Sequence, residues 1–426
     1  MSLFENSAQY ALERDKNDEL RDFRREFLFP QHDGKPVIYF TGNSLGLQPT
    51  SAKEAIEIEL EDWAKYGVDG HFQARNPWFS YHEPFKSLLS PLVGAKDEEV
   101  TPMNGLTANI HFLMVSFYRP KGKRYKILCE AKAFPSDQYA LESQVRFHGY
   151  DAAEAIIEVA PRAGEHLINE EDIYEILANR GDEIALVMIG GVNYYTGQLF
   201  DMKRITEAGQ RAGAIVGFDL AHAAGNVALE LHNWGVDFAA WCSYKYLNSG
   251  PGSVAGIFVH EKHGKNAKLN RFAGWWGNDP STRFLMEKGF VPDVGADGWQ
   301  LSNAPVFSMA VHKASLEIFK RAGMKRISAK RDQLTAYLEF VVSDVSDSTA
   351  GLDIEIITPA DPSKRGAQLS LLTHGSGKGL FDALAANGVI ADWREPNVIR
   401  IAPAPLYNSF ADVHQFGVFL RKAVAE

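Results

Sequence analysis

Apolar and polar positions change rhythm three times along the chain. Residues 10 to 28 carry apolar positions at helical spacing among many charges and predict an amphipathic helix, followed by a turn from Pro30 to Lys35 and a short strand, Val37 to Phe40. The loop Thr41 to Gly46 comes next, then a helix over Ser51 to Tyr66. Gly67 to Ser80 is rich in aromatics and has no clear period, so it reads as irregular structure of the kind that often carries function.

From about residue 85 to 260 short apolar runs alternate with helical stretches. Tyr125 to Glu130, Ile184 to Ile189, Ala214 to Asp219, Phe238 to Ser243 and Val254 to His260 are predicted strands, and Glu170 to Asn179 and Met202 to Ala212 are predicted helices between some of them. Runs this apolar fit strands covered on both faces, which predicts an α/β unit with a mainly parallel sheet. The rhythm then shifts again. Met309 to Val342 has a long helical pattern, Ser343 to Ser348 reads as a surface loop, Asp353 to Thr358 and Gln368 to Leu372 read as strands, and a last helix begins near Ser409. This predicts a smaller α+β domain.

Composition narrows the class of partner. The chain has 426 residues, 45% of them hydrophobic, enough to bury a large core. A formal net charge of -10 disfavours a nucleic-acid or anionic membrane surface and favours a small-molecule partner. Cys129 and Cys242 both lie in apolar runs and read as buried thiols, which suits a reducing compartment. The segment Met1 to Phe29 lacks an apolar core and a small-residue cleavage site, and no apolar run reaches the roughly 18 residues needed to span a bilayer. The expected location is the cytoplasm.

The chemistry centres on Lys245, which closes the apolar run from Val236 and precedes the turn Gly250-Pro251-Gly252. A lysine at the end of a buried strand can lose its proton and attack a carbonyl to form a Schiff base. Upstream, the strand Ala214 to Asp219 ends in an acid, with His222 three positions on. Together these residues offer what pyridoxal phosphate requires, a lysine for its aldehyde and an acid for its ring nitrogen. On the residues alone, a strand-end lysine that reaches out to water and an Asp that caps a helix are equally open.

Other motifs are weaker. Met103 to Ile110 sets a glycine and Thr107 before an apolar helix, a place to hold a phosphate or simply a Thr cap. Phe134 to Asp137 follows a predicted strand, so Phe134 can stack on a planar cofactor, or the segment is a turn whose Asp caps a helix. His374 to Gly379 looks like a phosphate loop without Walker spacing and is read as a flexible connection. His260 and His263 are joined by no Cys or carboxylate cluster, so no metal site is expected, and no Gly-x-Ser-x-Gly elbow occurs.

Longer strings carry a family resemblance. Tyr39 to Pro49, Ala131 to Asp137, Tyr195 to Gly197, Gly217 to His222, Trp241 to Asn248 and Arg400 to Ser409 resemble kynureninase, a pyridoxal-phosphate enzyme of the aspartate-aminotransferase-like fold (fold type I). The resemblance implies an N-terminal segment (1–60) packing with the small domain, a large cofactor-binding domain (61–308) and a small C-terminal domain (309–426). It implies that Lys245 links to the cofactor, Asp219 pairs with its ring nitrogen, His222 lies beside it, Phe134 stacks on it and Asp137 is close by. Leu106 (through its backbone), Thr107 and Tyr244 match phosphate-side contacts, and Tyr244 also matches a proton-transfer role. Trp275 and Asn303 match contacts delivered by the second subunit of a homodimer with shared active sites. Arg400 matches a clamp for the substrate α-carboxylate, and His71, Ser302 and Asn303 lie near the substrate's aromatic ring. Gly190 departs from relatives that carry a serine, which puts a hydroxyl contact there in doubt.

The implied reaction is hydrolysis of the β–γ carbon–carbon bond of L-kynurenine or 3-hydroxy-L-kynurenine to an anthranilate and L-alanine. Another fold-type-I enzyme, an aminotransferase or a cysteine desulfurase, is the alternative within the fold. A catalytically silent ligand-binding protein is the alternative outside it.

Overall fold

The computed structural model describes residues 4–375 and 377–425. Its centre is a seven-stranded sheet whose strands, in chain order, are β1 (Val100–Pro102), β2 (Lys126–Glu130), β3 (Ile156–Val159), β4 (Ile184–Gly190), β5 (Ile215–Asp219), β6 (Phe238–Trp241) and β7 (Gly256–Val259). Their order in space is β1-β7-β6-β5-β4-β2-β3. From β6 to β3 all neighbours are parallel, while β7 runs antiparallel to β6 and β1. Successive residues feed opposite faces: Leu128, Val216 and Phe218 join one apolar cluster, Ile127, Cys129 and Met188 the other. Helices Leu106–Phe117 and Pro135–Phe147 cover the second face. The fold is therefore an α/β architecture with a mainly parallel sheet, as the apolar runs predicted, and the arrangement is in keeping with the fold type I that the resemblance implied.

A third apolar cluster surrounds a four-stranded antiparallel sheet of Ile354–Ile356, Leu369–Thr373, Val398–Ile401 and Asp392–Arg394. Helices Met324–Ser348 and Phe410–Ala425 pack on it, and Ala11, Ile38 and Phe40 from the N-terminal segment enter the same cluster. Ile38–Tyr39 also pairs in parallel with Val389–Ile390.

Several boundaries differ from the sequence reading. The helix expected over 10–28 is Ala8–Lys16, capped by Ser7 and closed at Asn17, followed by a 3-10 stretch from Arg21 to Glu26. The long helix expected over 309–342 is two, Val306–Ala322 and Met324–Ser348, because Gly323 takes φ 74° between them. The second of these runs through Ser343 to Ser348, so that stretch is helix and not a surface loop. β1, β3 and the strands Asp392–Arg394 and Val398–Ile401 escaped the reading because they are only three or four residues long. Among the described residues no helix is long and apolar enough to cross a membrane.

His312, on the helix Val306–Ala322, is fully buried against Phe85, and neither ring nitrogen has a hydrogen-bond partner among the described residues. Burial pushes its pKa down to about 3 from 6.5. Between those values the unfolded chain binds the extra proton, so stability falls as pH falls below about 6.5, by about 2 kcal/mol at pH 5. His312→Leu is expected to narrow the stability difference between pH 7.5 and pH 5 by that amount in urea titrations; an unchanged difference would count against the buried imidazole.

Candidate active site

Parallel strands present their carboxyl ends on one edge, which is where such sheets bind ligands. β2, β4 and β5 end there in Glu130, Gly190 and Asp219, with Asp219 directly beside Gly190. A cavity of ≈ 240 Å³ opens over these ends. Its lining also includes Leu106, Thr107, Phe134, Asp137, His222, Tyr244 and Lys245.

Lys245 lies four residues beyond β6, in a bend rather than at the strand end. Its carbonyl accepts the Asn248 amide, and the neighbouring Tyr244 carbonyl accepts the Gly46 amide at 2.8 Å. A side chain at Gly46 would meet the Lys245 carbonyl at 2.4 Å, so glycine is what lets the Thr41 to Gly46 loop close on this bend. Lys245 Nζ then reaches His222 Nε2 at 3.0 Å, and both residues are buried. Burial, followed by the charges of Lys245, Arg400 and Arg394, holds the His222 pKa well below its usual range. A neutral His222 can accept from Nζ.

At one end of the cavity the helix Leu106–Phe117 begins after Gly105, which offers no side-chain cap. The first-turn amides and the Thr107 hydroxyl are therefore available to an anion. At the foot lie three carboxyl groups. Asp219 Oδ1 accepts the Ala221 amide at 2.7 Å, and burial and then Asp219 itself raise the Asp137 pKa well above the carboxylate range. Phe134 stands 5.7 Å from Lys245 Nζ, measured to the ring centroid, and Tyr194 meets it edge-on at 5.3 Å. Burial, then Cys242, raises the Tyr244 pKa, so its phenol keeps its proton at neutral pH.

Pyridoxal phosphate fits this arrangement. The uncapped helix start, the buried acids, the aromatic wall and Lys245 correspond to its phosphate, ring nitrogen, ring face and aldehyde, and the buried His222 Nδ1 has no hydrogen-bond partner among the described residues.

Comparison with known proteins agrees. Residues 327–420 match the family model "Kynureninase C-terminal domain", and residues 38–355 match "Aminotransferase class-V". The chain is 58% identical to the kynureninase of Flavobacterium psychrophilum over 100% of both chains. It is 54% identical to that of Myxococcus xanthus, over 97% of this chain and 96% of the other. The chain belongs to the kynureninase family. Among solved structures it resembles a cysteine desulfurase from Thermococcus onnurineus NA1, with TM-score 0.73 and 16% identity over 91% of this chain and 95% of that one. It also resembles the C-DES mutant K223A, whose structure holds glycine linked to pyridoxal phosphate, with TM-score 0.75 and 15% identity over 90% and 96% of the two chains. At such identities the likeness speaks for the fold alone.

The kynureninase resemblance pointed to five further residues, and within one chain these lie outside the cavity. Arg400 is the nearest: its guanidinium is buried, donates to the Tyr194 carbonyl at 2.6 Å and pairs with Asp392 at 2.6 Å, leaving Nε without a partner among the described residues. The other four gather elsewhere. Trp275 is 45% exposed, and Ser302 and Asn303 are exposed just beyond Leu301, whose carbonyl accepts the Trp276 amide. His71 sits edge-on to Trp78, and its neighbour Phe72 stacks on Phe79, which touches Phe284, which touches Trp275.

Three lining residues, Glu130, Val192 and Tyr194, escaped the sequence reading. Glu130 ends a predicted strand without any motif, and Tyr194 precedes the quoted Tyr195 to Gly197 string by one position. The motifs set aside have structural uses: His260 caps a short helix through Nδ1 and His263 pairs with Asp237 at 2.7 Å. His374 to Gly379 precedes the helix Gly379–Ala386, and its Ser376 lies outside the described residues. A desulfurase needs a reactive thiol, whereas both cysteines are buried and burial raises their pKa values, that of Cys242 to about 11.

Proposed function

We propose that the chain hydrolyses L-kynurenine, 3-hydroxy-L-kynurenine or both to the corresponding anthranilate and L-alanine, with pyridoxal phosphate held in the cavity described above. The observation that carries this reading is the buried contact of Lys245 Nζ with a neutral His222, in a cavity that Asp219 also lines, in a chain of this family. Pyridoxal phosphate, when bound, supplies the electron sink that carbon–carbon cleavage needs. Leu106 and Thr107 would hold its phosphate, with Tyr244 on the same side; Phe134 would stack on its ring and Asp219 would meet its ring nitrogen, with Asp137 next to it. Lys245 Nζ would hold its aldehyde carbon and, once displaced by the substrate amine, move the Cα proton. His222 orients Nζ by accepting from it. Tyr244, a phenol at neutral pH, donates a proton during cleavage. Arg400 binds the substrate α-carboxylate, and the free Nε and the nearness of its charge to His222 support this role.

The reading is tested by adding kynurenine to protein reconstituted with the cofactor. Release of a fluorescent anthranilate and of alanine in equal amounts supports it; formation of the cofactor's amine form with a keto acid instead would favour an aminotransferase.

The second group of residues fits a homodimer. Phe72, Phe284 and Trp275 form an exposed aromatic train, a surface that soluble monomers seldom leave open. In the dimer, Trp275 and Asn303 of one subunit would contact the cofactor of the other, with His71, Ser302 and Asn303 near the substrate's ring. Inactive Lys245→Ala and Trp275→Ala proteins, mixed and reassembled, are expected to regain about one quarter of the parent sites, since half the dimers are mixed and each holds one intact site. No recovery, with mixing verified by a tagged subunit, would rule out sharing. We divide the chain at about 60 and 308, with the N-terminal segment on the small domain, and place it in a reducing cytoplasm, in keeping with its two buried, unpaired cysteines.

A further inference from the structure

Glu130 is 5% exposed at the end of β2, and both of its carboxylate oxygens accept the Gly190 amide at 3.1 Å. The next amide, that of Gly191, donates to the Asp219 carbonyl at 2.7 Å. The Gly190–Gly191 peptide thus ties Glu130 to the residue that faces the ring nitrogen, across three neighbouring strands. Gly190 permits this, because a Cβ there would stand 2.9 Å from Glu130 Oε1. Glu130 also lines the cavity itself.

We propose that Glu130 is a further positioning residue of this site: it fixes the Gly190–Gly191 backbone against which Asp219 is set, and it adds a third acid to the field around the Lys245–cofactor linkage. The proposal rests on the cofactor reading given above. Burial and then the Asp219 charge push the Glu130 pKa up to about 7, so it can change charge near neutral pH. Asp219 from β5 acts on it by charge, it acts in turn on Asp137 from the helix Pro135–Phe147 and on Cys129 of its own strand, and Lys245 from the bend after β6 lines the same cavity. Lys245 is the single cation among them, so the ionised Glu130 favours a positive nitrogen at that position.

Two variants separate the charge from the hydrogen bond. Glu130→Gln keeps an acceptor for the Gly190 amide and removes the charge; Glu130→Leu removes both. The pH titration of the bound cofactor's visible absorbance is expected to move its midpoint down by about half a pH unit in both, since a nearby negative charge is gone. Cofactor affinity, read by equilibrium dialysis, is expected to fall about tenfold in Glu130→Leu, with the loss largely absent in Glu130→Gln, because a Gly190–Gly191 backbone without its anchor no longer sets Asp219 for the ring nitrogen. A midpoint unchanged in both variants, or equal losses of affinity in both, would overturn the proposal and leave Glu130 as packing. A parent protein that binds no pyridoxal phosphate would instead sink the cofactor reading.

Discussion

Lys245→Ala is expected to lower turnover by at least about 10⁴-fold, because one residue holds the cofactor and moves the Cα proton. Lys245 is the only amine among the described residues that lines the cavity, so no other group inherits either task. The fold should survive. The bend is held by main-chain contacts, the Lys245 carbonyl with the Asn248 amide and the Tyr244 carbonyl with the Gly46 amide, and alanine keeps all of them. The variant should therefore melt within a few degrees of the parent yet release its cofactor on dialysis, since the covalent link is gone. Retained turnover in dialysed, metal-free protein would sink the assignment of Lys245.

Which features the sequence disclosed follows from their physics. The strands that carry Asp219 and precede Lys245 are unbroken apolar runs because a parallel sheet is covered on both faces, and such runs stand out against polar surroundings. Lys245 and His222 were legible for the same reason: charged or polar residues at the ends of apolar runs are conspicuous. Their 3.0 Å contact was not, since it depends on the bend after β6 and on the glycine at position 46. Glu130 stayed hidden because an acid at a strand end has many ordinary uses, and its role arises only when β4 slots in beside β2 and delivers Gly190. Gly323 divides what reads as one helix because periodicity continues across it while its positive φ turns the backbone. His71, Trp275, Ser302 and Asn303 could be named by resemblance alone, as no local pattern sets them apart from other exposed residues.

Asp219→Ala is expected to weaken cofactor binding by about 10²–10³-fold, the cost of leaving a buried charge without its hydrogen-bonded partner, roughly 2–5 kcal/mol. Turnover at saturating cofactor should fall as well, because a ring nitrogen without its proton is a poorer electron sink. The alanine also removes the acceptor of the Ala221 amide, so Asp219→Asn, which can keep that bond, separates the two effects: if charge is what matters, asparagine loses nearly as much as alanine. Asp137 complicates the single variants in a predictable way. It is held protonated partly by the Asp219 charge, and once that charge is removed it ionises more easily and can partly replace it. Adding Asp137→Asn to Asp219→Asn should therefore cost more than the two single losses multiplied together, since the double variant has lost both the partner and its substitute. Cofactor affinity measured across the four proteins decides this. Normal binding and turnover in Asp219→Ala would place the ring-nitrogen partner elsewhere, and strictly multiplicative losses would mean that Asp137 takes no share of the charge.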